Sequence, residues 1–217
     1  MRALADLPFA GLWLCPLHEW PSAGRQAWLS TQERERAACF AFERDRRRYV
    51  AARCALRERL AADTGLSPDR LQIMADAFEK PCLLGRAGCH FNLSRRADWA
   101  LLGISRAGEI GVDFELLHAV DKVDALAQAH FSDAEFDAFR ALAADSKDEV
   151  FLRVWTRKEA CLKAVGTGLR IEPCGLEVGL GVEVVRLSIA LPAGAASVEV
   201  RSVDSGTDSV AAIARLL

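Results

Sequence analysis

The spacing of apolar residues changes period along this chain, and the changes mark its elements. Gly11-Leu12-Trp13-Leu14-Cys15 is short and largely apolar and predicts a first strand. Ser30-Thr31-Gln32-Glu33 places a carboxylate three residues after a hydroxyl, the capping-box pattern that opens a helix. From Arg46 to Ala62 the apolar residues Val50, Cys54, Leu56 and Leu60 recur at roughly helical spacing, and Gly65-Leu66-Ser67-Pro68 ends that helix in a turn. Leu71–Ala75 predicts a strand and Glu79-Lys80-Pro81 a polar turn. Cys89–Leu93 and Trp99–Ser105 predict two more strands, joined through Ser94–Asp98.

The turn Arg106-Ala107-Gly108-Glu109 is the best boundary, dividing the chain into halves 1–107 and 108–217. Beyond it, Ile110–Leu116 predicts a strand. Phe131–Ala144 predicts a helix capped by Ser132-Asp133-Ala134-Glu135, with Phe136 and Phe139 on one face. A longer helix, Lys147–Val165, stops at Gly166-Thr167-Gly168. The tail from Leu176 alternates, is rich in Val and Ile, and breaks at Pro192-Ala193-Gly194 and Ser205-Gly206-Thr207, which predicts three antiparallel strands. Each half thus reads as helices with a small, mostly antiparallel sheet, an α+β pattern rather than βαβ alternation. No sequence repeat between the halves is evident, and neither a P-loop nor a dinucleotide-binding glycine motif is present.

Composition narrows the function only by exclusion. At 217 residues and net charge −2 the chain has no global pull toward nucleic acid or membrane. Seven scattered cysteines without a CxxC pair argue against a zinc ribbon and for a reducing, cytoplasmic compartment. The N-terminus lacks a long apolar signal segment, and no run reaches membrane-spanning length. Arginines crowd residues 34–59; most read as a solvated helix face, with one or two available as an anion site.

Two segments carry candidate chemistry. In Gly111-Val112-Asp113-Phe114-Glu115, strand periodicity puts Asp113 and Glu115 on one face, where adjacent carboxylates repel unless a cation lies between them. In Trp155-Thr156-Arg157-Lys158-Glu159-Ala160-Cys161-Leu162-Lys163-Ala164, helical spacing aligns Trp155, Glu159 and Lys163, with Lys158 beside them. Three carboxylates and two lysines could hold Mg²⁺, or Mn²⁺, against a phosphate, with Trp155 as an anchor. Phe91-Asn92-Leu93-Ser94-Arg95-Arg96 adds a possible phosphomonoester site at Ser94 and Arg95, and Lys80 precedes Pro81. The four histidines are scattered and suggest no catalytic triad.

In this order the motifs resemble the Sfp-type 4'-phosphopantetheinyl transferases. The resemblance runs from about Leu29 to Leu169. It includes Phe40-x4-Asp45-x2-Arg48, Lys80-Pro81, Phe91-Asn92-Leu93-Ser94, Gly111-Val112-Asp113-Phe114-Glu115 and Trp155-x2-Lys158-Glu159-Ala160-x2-Lys163-Ala164-x-Gly166-x-Gly168. It implies a pseudo-dimer of two α+β halves with coenzyme A, the co-substrate, in the cleft between them. The phosphopantetheine arm would pass to a serine of an apo acyl, polyketide or peptidyl carrier protein, releasing 3',5'-ADP. By position Asp113, Glu115 and Glu159 match the metal ligands, and Lys163 the lysine beside the phosphates. Arg48, Lys80 and Ser94 match residues around the nucleotide and its 3'-phosphate, with Lys158 an added helper.

The resemblance further implies Glu159 or a metal-held water as the base, and a monomer in which exposed apolar residues between His118 and Phe139 receive the carrier. Two departures stand out: Arg95 replaces the family's usual His beside the 3'-phosphate, and Ala52 replaces a common glycine. Arg95 leaves coenzyme A binding without transfer as an alternative, and Mg²⁺-dependent coenzyme A pyrophosphate hydrolysis is a third reading.

Overall fold

The structure is a computed structural model, and it describes residues 1–76, 80–85, 88–166, 171–192 and 194–217. The first half runs β1 (Arg2–Leu7), β2 (Ala10–Pro16), α1 (Ala23–Gln26), α2 (Thr31–Ala38), α3 (Glu43–Thr64), β3 (Ile73–Ala75), β4 (Pro81–Leu83), β5 (His90–Arg96) and β6 (Trp99–Ser105). The second runs β7 (Ile110–Leu116), α4 (Val123–His130), α5 (Asp133–Arg140), α6 (Lys147–Val165), β8 (Val185–Leu191), β9 (Gly194–Val203) and β10 (Ser209–Leu216). One antiparallel sheet has the order β1-β2-β6-β5, the other β7-β10-β9-β8, and β3 and β4 form a small ribbon. The fold is α+β in two parts, as expected.

Each long helix covers one sheet. Leu56 and Leu60 of α3 pack with Phe91 and Leu102, while Val154, Ala160 and Cys161 of α6 pack with Val198, Val200 and Ala212. A third cluster joins the sheets: Leu12, Leu101, Val112, Phe114 and Ile213 meet there without solvent. Burying each such Leu, Ile or Phe contributes about 1.5–3 kcal/mol, so the halves share a core rather than merely touching. Both long helices stop at a glycine in the left-handed region, Gly65 (φ 72°) and Gly166 (φ 80°), where a Cβ would be strained.

The halves repeat one another in a device that the sequence does not advertise. Ser30 and Glu33 cap α2 reciprocally, and Ser132 and Glu135 cap α5 in the same way. Each capping glutamate is buried and held by a buried cation from the following long helix: Arg57 Nε lies 2.7 Å from Glu33, and Lys158 Nζ 2.6 Å from Glu135. Each cation then donates to carbonyls of a Pro-x-x-Leu segment beyond its helix, Arg57 to Pro68 and Leu71, Lys158 to Pro173 and Leu176. The repeat escapes a sequence scan because the cation is Arg in one copy and Lys in the other, and the intervening lengths differ.

Several boundaries move. The strand expected to end at Leu93 continues to Arg96, turning at Ala97 (φ 48°). β1, α1 and α4 were not expected. The helix expected over Phe131–Ala144 begins only at Asp133, because Phe131 is extended and Ser132 is the cap, and it ends at Arg140. The tail has its three antiparallel strands, but they begin at Val185, after the short 3-10 turn Pro173–Gly175. Arg57, expected on a solvated face, is 1 % exposed. Expectations for Glu79, Thr167, Gly168 and Ala193 fall outside the described residues.

Candidate active site

The site begins with a missing side chain. A Cβ on Gly111 would lie 2.1 Å from the Ala160 carbonyl oxygen and 2.3 Å from the Ala164 nitrogen, so only glycine lets the α6 backbone rest on β7. Strand alternation then aims Asp113 and Glu115 to the same face, toward α6, while Val112 and Phe114 enter the inter-sheet core. Glu159 and Lys163, one turn apart, look back from α6. Lys163 Nζ sits 2.5 Å from Asp113 Oδ1.

The other half contributes through β5, the edge strand of its sheet. Asn92 Oδ1 accepts from the Val112 N–H at 3.0 Å, and Ser94 Oγ donates to Asp113 Oδ1 at 2.7 Å. Asn92 and Ser94 are two apart on one strand and share a face, a signal that becomes readable once β5 is known to reach Arg96. Arg96, not expected at the site, brings Nε to 2.8 Å from Glu115 Oε2, close enough to pair but not aligned as a hydrogen bond.

Burial sets the electrostatics. Glu115 and Glu159 both have their carboxyls pushed above the ordinary range, first by burial and further by the charge of Asp113, against the pull of Arg96 on Glu115 and of Lys163 on both. Asp113 is buried, and its Oδ2 is shut from solvent without a hydrogen-bond partner. As the side chains stand, no three His, Cys, Asp or Glu groups converge as a metal cage among the described residues. The donor set nevertheless fits a hard divalent cation: three carboxylates, two of them disfavoured as bare anions, with Asp113 Oδ2 and Glu115 Oε2 buried and without hydrogen-bond partners.

Lys158 does not join this group. Its ammonium is wholly buried between Glu135 and the carbonyls of Pro173 and Leu176, which corrects the expectation that it reaches a phosphate. Burial lowers its pKa, opposed by the bond from Glu135. Lys80 bridges the halves instead, its Nζ 3.0 Å from the Ala164 carbonyl at the end of α6 and 2.5 Å from Glu109, which also meets His90 at 2.6 Å. Arg48 is tied to Asp98 at 2.8 Å and to Asp45 at 3.5 Å. Arg95 is exposed, with its guanidinium 5.9 Å from the centre of the Tyr49 ring. Trp155 stacks on Phe151 and meets His130 edge-on. Phe131 and Phe139 are core residues, while Leu126 and His118 in the stretch expected to receive the carrier are exposed.

A cavity of about 720 Å³ lies elsewhere, bordered by Cys15, Arg25, Glu58 and Ala62. In the internal repeat Arg57 answers to Lys158, so Glu58 answers to Glu159 and Ala62 to Lys163. Glu58 is neutralised by Arg25 at 2.6 Å, and the cavity retains none of the other charges.

Comparison with known proteins agrees with this architecture. Residues 109–213 match the family model of the 4'-phosphopantetheinyl transferase superfamily, and residues 11–106 match that of the 4'-phosphopantetheinyl transferase N-terminal region. The 4'-phosphopantetheinyl transferase HetI of Nostoc sp. is 36% identical over 164 residues, covering 73% of this chain and 69% of that protein. The Bacillus subtilis 4'-phosphopantetheinyl transferase ffp is 25% identical over 177 residues, covering 82% and 77%. The human L-aminoadipate-semialdehyde dehydrogenase-phosphopantetheinyl transferase is 26% identical over 181 residues, covering 78% of this chain and 58% of that protein. The chain belongs to the 4'-phosphopantetheinyl transferase superfamily.

Proposed function

We infer that this protein transfers the 4'-phosphopantetheine group of coenzyme A to a serine of an apo carrier protein, releasing 3',5'-ADP. The observation that carries the reading is Asp113: one oxygen is held by Ser94 from one half and Lys163 from the other, and the second is buried and unpartnered. Membership of the family supplies coenzyme A and a carrier protein as the substrates. No observation favours binding without transfer, or hydrolysis.

Asp113, Glu115 and Glu159 would hold Mg²⁺ or Mn²⁺, which when bound neutralises phosphate charge and polarises the phosphorus–oxygen bonds. Either Glu159 or a water held at the site accepts the proton of the carrier serine. The serine oxygen then bonds to the phosphorus bearing the pantetheine arm, and the bond from that phosphorus to the 3',5'-ADP oxygen breaks. Lys163 donates to the departing phosphate, and the anchoring of Asp113 keeps Lys163 pointed there. Arg48, Lys80, Ser94 and Arg95 are proposed to bind the nucleotide end of coenzyme A between halves 1–107 and 108–217.

We further propose a cytoplasmic monomer that acts without nucleic acid or membrane. All seven cysteines are free thiols, and no described helix is long and apolar enough to cross a membrane. The exposed stretch around His118 and Leu126 is proposed to receive the carrier. The test is incubation with coenzyme A, Mg²⁺ and a panel of apo carriers, following carrier mass and 3',5'-ADP together. A carrier that gains one phosphopantetheine for each 3',5'-ADP supports transfer, whereas 3',5'-ADP released without carrier overturns it in favour of hydrolysis.

A further inference from the structure

We propose that Glu135, which lies outside the reacting cluster, is a positioning residue for Glu159. This rests on the site reading above. Lys158 and Glu159 are consecutive on α6, so their side chains diverge by about 100° around the helix axis. Whatever fixes the direction of Lys158 therefore fixes the direction of Glu159.

Lys158 is fixed completely. Its ammonium has three partners, Glu135 Oε2 and the carbonyls of Pro173 and Leu176, and no exposure to water. Glu135 is fixed in turn: its Oε2 accepts from the Ser132 N–H at 3.0 Å, and its Oε1 from the N–H groups of Val178 at 2.6 Å and Gly179 at 3.1 Å. Arg157, the preceding residue, is also wholly buried and donates to the carbonyls of Val178 and Glu183. One side of α6 is thus bolted to α5 and to segment 173–183 through polar bonds of fixed direction. The face bearing Ala160 and Ala164, on the far side from Lys158, rests on Gly111, where the backbones leave no slack. Between these two constraints the helix cannot turn, and Glu159 faces Asp113.

A buried ion pair is a poor way to gain stability, because an apolar pair of similar volume often does as well or better. What it supplies is direction, since an apolar contact tolerates rotation that two hydrogen bonds and a close ion pair do not. The first half holds the same device, Glu33 with Arg57, on a helix whose corresponding Glu58 is neutralised by Arg25. It is a built-in control: loosening it perturbs a matching clasp with no metal site attached.

The experiment compares Glu135→Gln, Glu33→Gln and Asp113→Ala in the full chain. The readouts are thermal unfolding and Mn²⁺ titration followed by electron paramagnetic resonance at saturating coenzyme A, with the protein-free titration subtracted. Loss of an outer partner that orients a ligand typically weakens metal affinity about 10–100-fold. Glu135→Gln is expected to weaken Mn²⁺ binding by about tenfold or more, while Glu33→Gln destabilises the protein and leaves Mn²⁺ affinity at the wild-type value. Wild-type Mn²⁺ affinity in Glu135→Gln, or an equal loss in Glu33→Gln, overturns the inference. If Asp113→Ala itself binds Mn²⁺ as the wild type does, it is the metal-site reading that fails.

Discussion

Ser94 Oγ donates to Asp113 Oδ1 at 2.7 Å, and this bond runs from the edge strand of one sheet to the edge strand of the other. The same oxygen receives Lys163, so a single carboxylate oxygen ties both halves and α6 together. Removing the hydroxyl leaves a buried acceptor less satisfied, at a cost of about 1–3 kcal/mol. Ser94→Ala should lower the denaturation midpoint and reduce kcat/KM for coenzyme A, with the larger effect on KM. Asp113→Ala should lose transfer while keeping its circular dichroism spectrum. Transfer at the wild-type rate in Asp113→Ala would show that Asp113 does not serve the metal.

Glu115 and Glu159 are costly to the unliganded protein. Each has its carboxyl raised by burial, so the folded state binds protons more tightly than the unfolded one. Stability from such a group is fullest below its unfolded pKa and declines as pH rises through the folded value. At pH 7 both carboxylates therefore work against folding. Glu159→Gln removes one of them and should raise Tm without metal, by roughly 2–4 °C for each 1 kcal/mol relieved, while abolishing transfer. The gain should shrink as pH is lowered toward 5. A Tm equal to wild type across that range would mean that the glutamate carries no such strain.

Much of this site was legible from residue order alone. Asp113, Glu159 and Lys163 were found because strand and helix periodicities place side chains by simple counting, and these three do converge. Lys158 was misplaced for the same reason: counting puts it beside Glu159 but cannot say that a glutamate 23 positions earlier, Glu135, waits on the other side. The resemblance implies two similar halves, but the repeat leaves no trace in the apolar pattern because its shared device is carried by hydrogen bonds from long side chains to carbonyls. Arg95 and Arg96 look like turn residues and would leave Ser94 in a connection, yet they finish a strand, and Arg96 pairs with Glu115.

Gly111 sets how closely α6 approaches the strand that bears two of the carboxylates. An added methyl at 2.1 Å from a backbone oxygen cannot be absorbed by a side-chain rotation, because the obstacle is main chain. Gly111→Ala should cost about 1–3 kcal/mol, the usual price of overpacking, and displace α6 from β7. Activity should fall further than stability does, since Glu159 and Lys163 move away from Asp113. Gly24→Ala, at a position where a Cβ meets nothing within 4 Å, is the matched control. Equal activity in the two variants would argue against close approach as the purpose of Gly111.

Far from the site, Glu199 predicts how the fold fails in acid. It lies on β9, facing away from the α6 core, and is 2 % exposed; Arg186 and Arg201 donate to it and Arg215 pairs with it. Burial alone would raise its pKa, but the bonds from Arg201, Arg186 and Arg215 outweigh this and hold it at about 2. Arg201 and Arg215 also lie over Phe9 from the first half, so the carboxylate organises a contact between the halves. Its folded pKa is below the unfolded value of 4.5, so its stabilisation is present above pH 4.5 and lost as pH falls toward 2. Glu109 is lowered as well, because Lys80 and His90 outweigh its burial, and Glu33 is lowered by its arginines, so both add to the loss in the same direction. Glu199→Gln should cost about 2–3 kcal/mol at pH 7. Its melting curve should converge on that of the wild type between pH 4.5 and pH 2. Curves that stay parallel over that range would assign the acid sensitivity to other carboxylates.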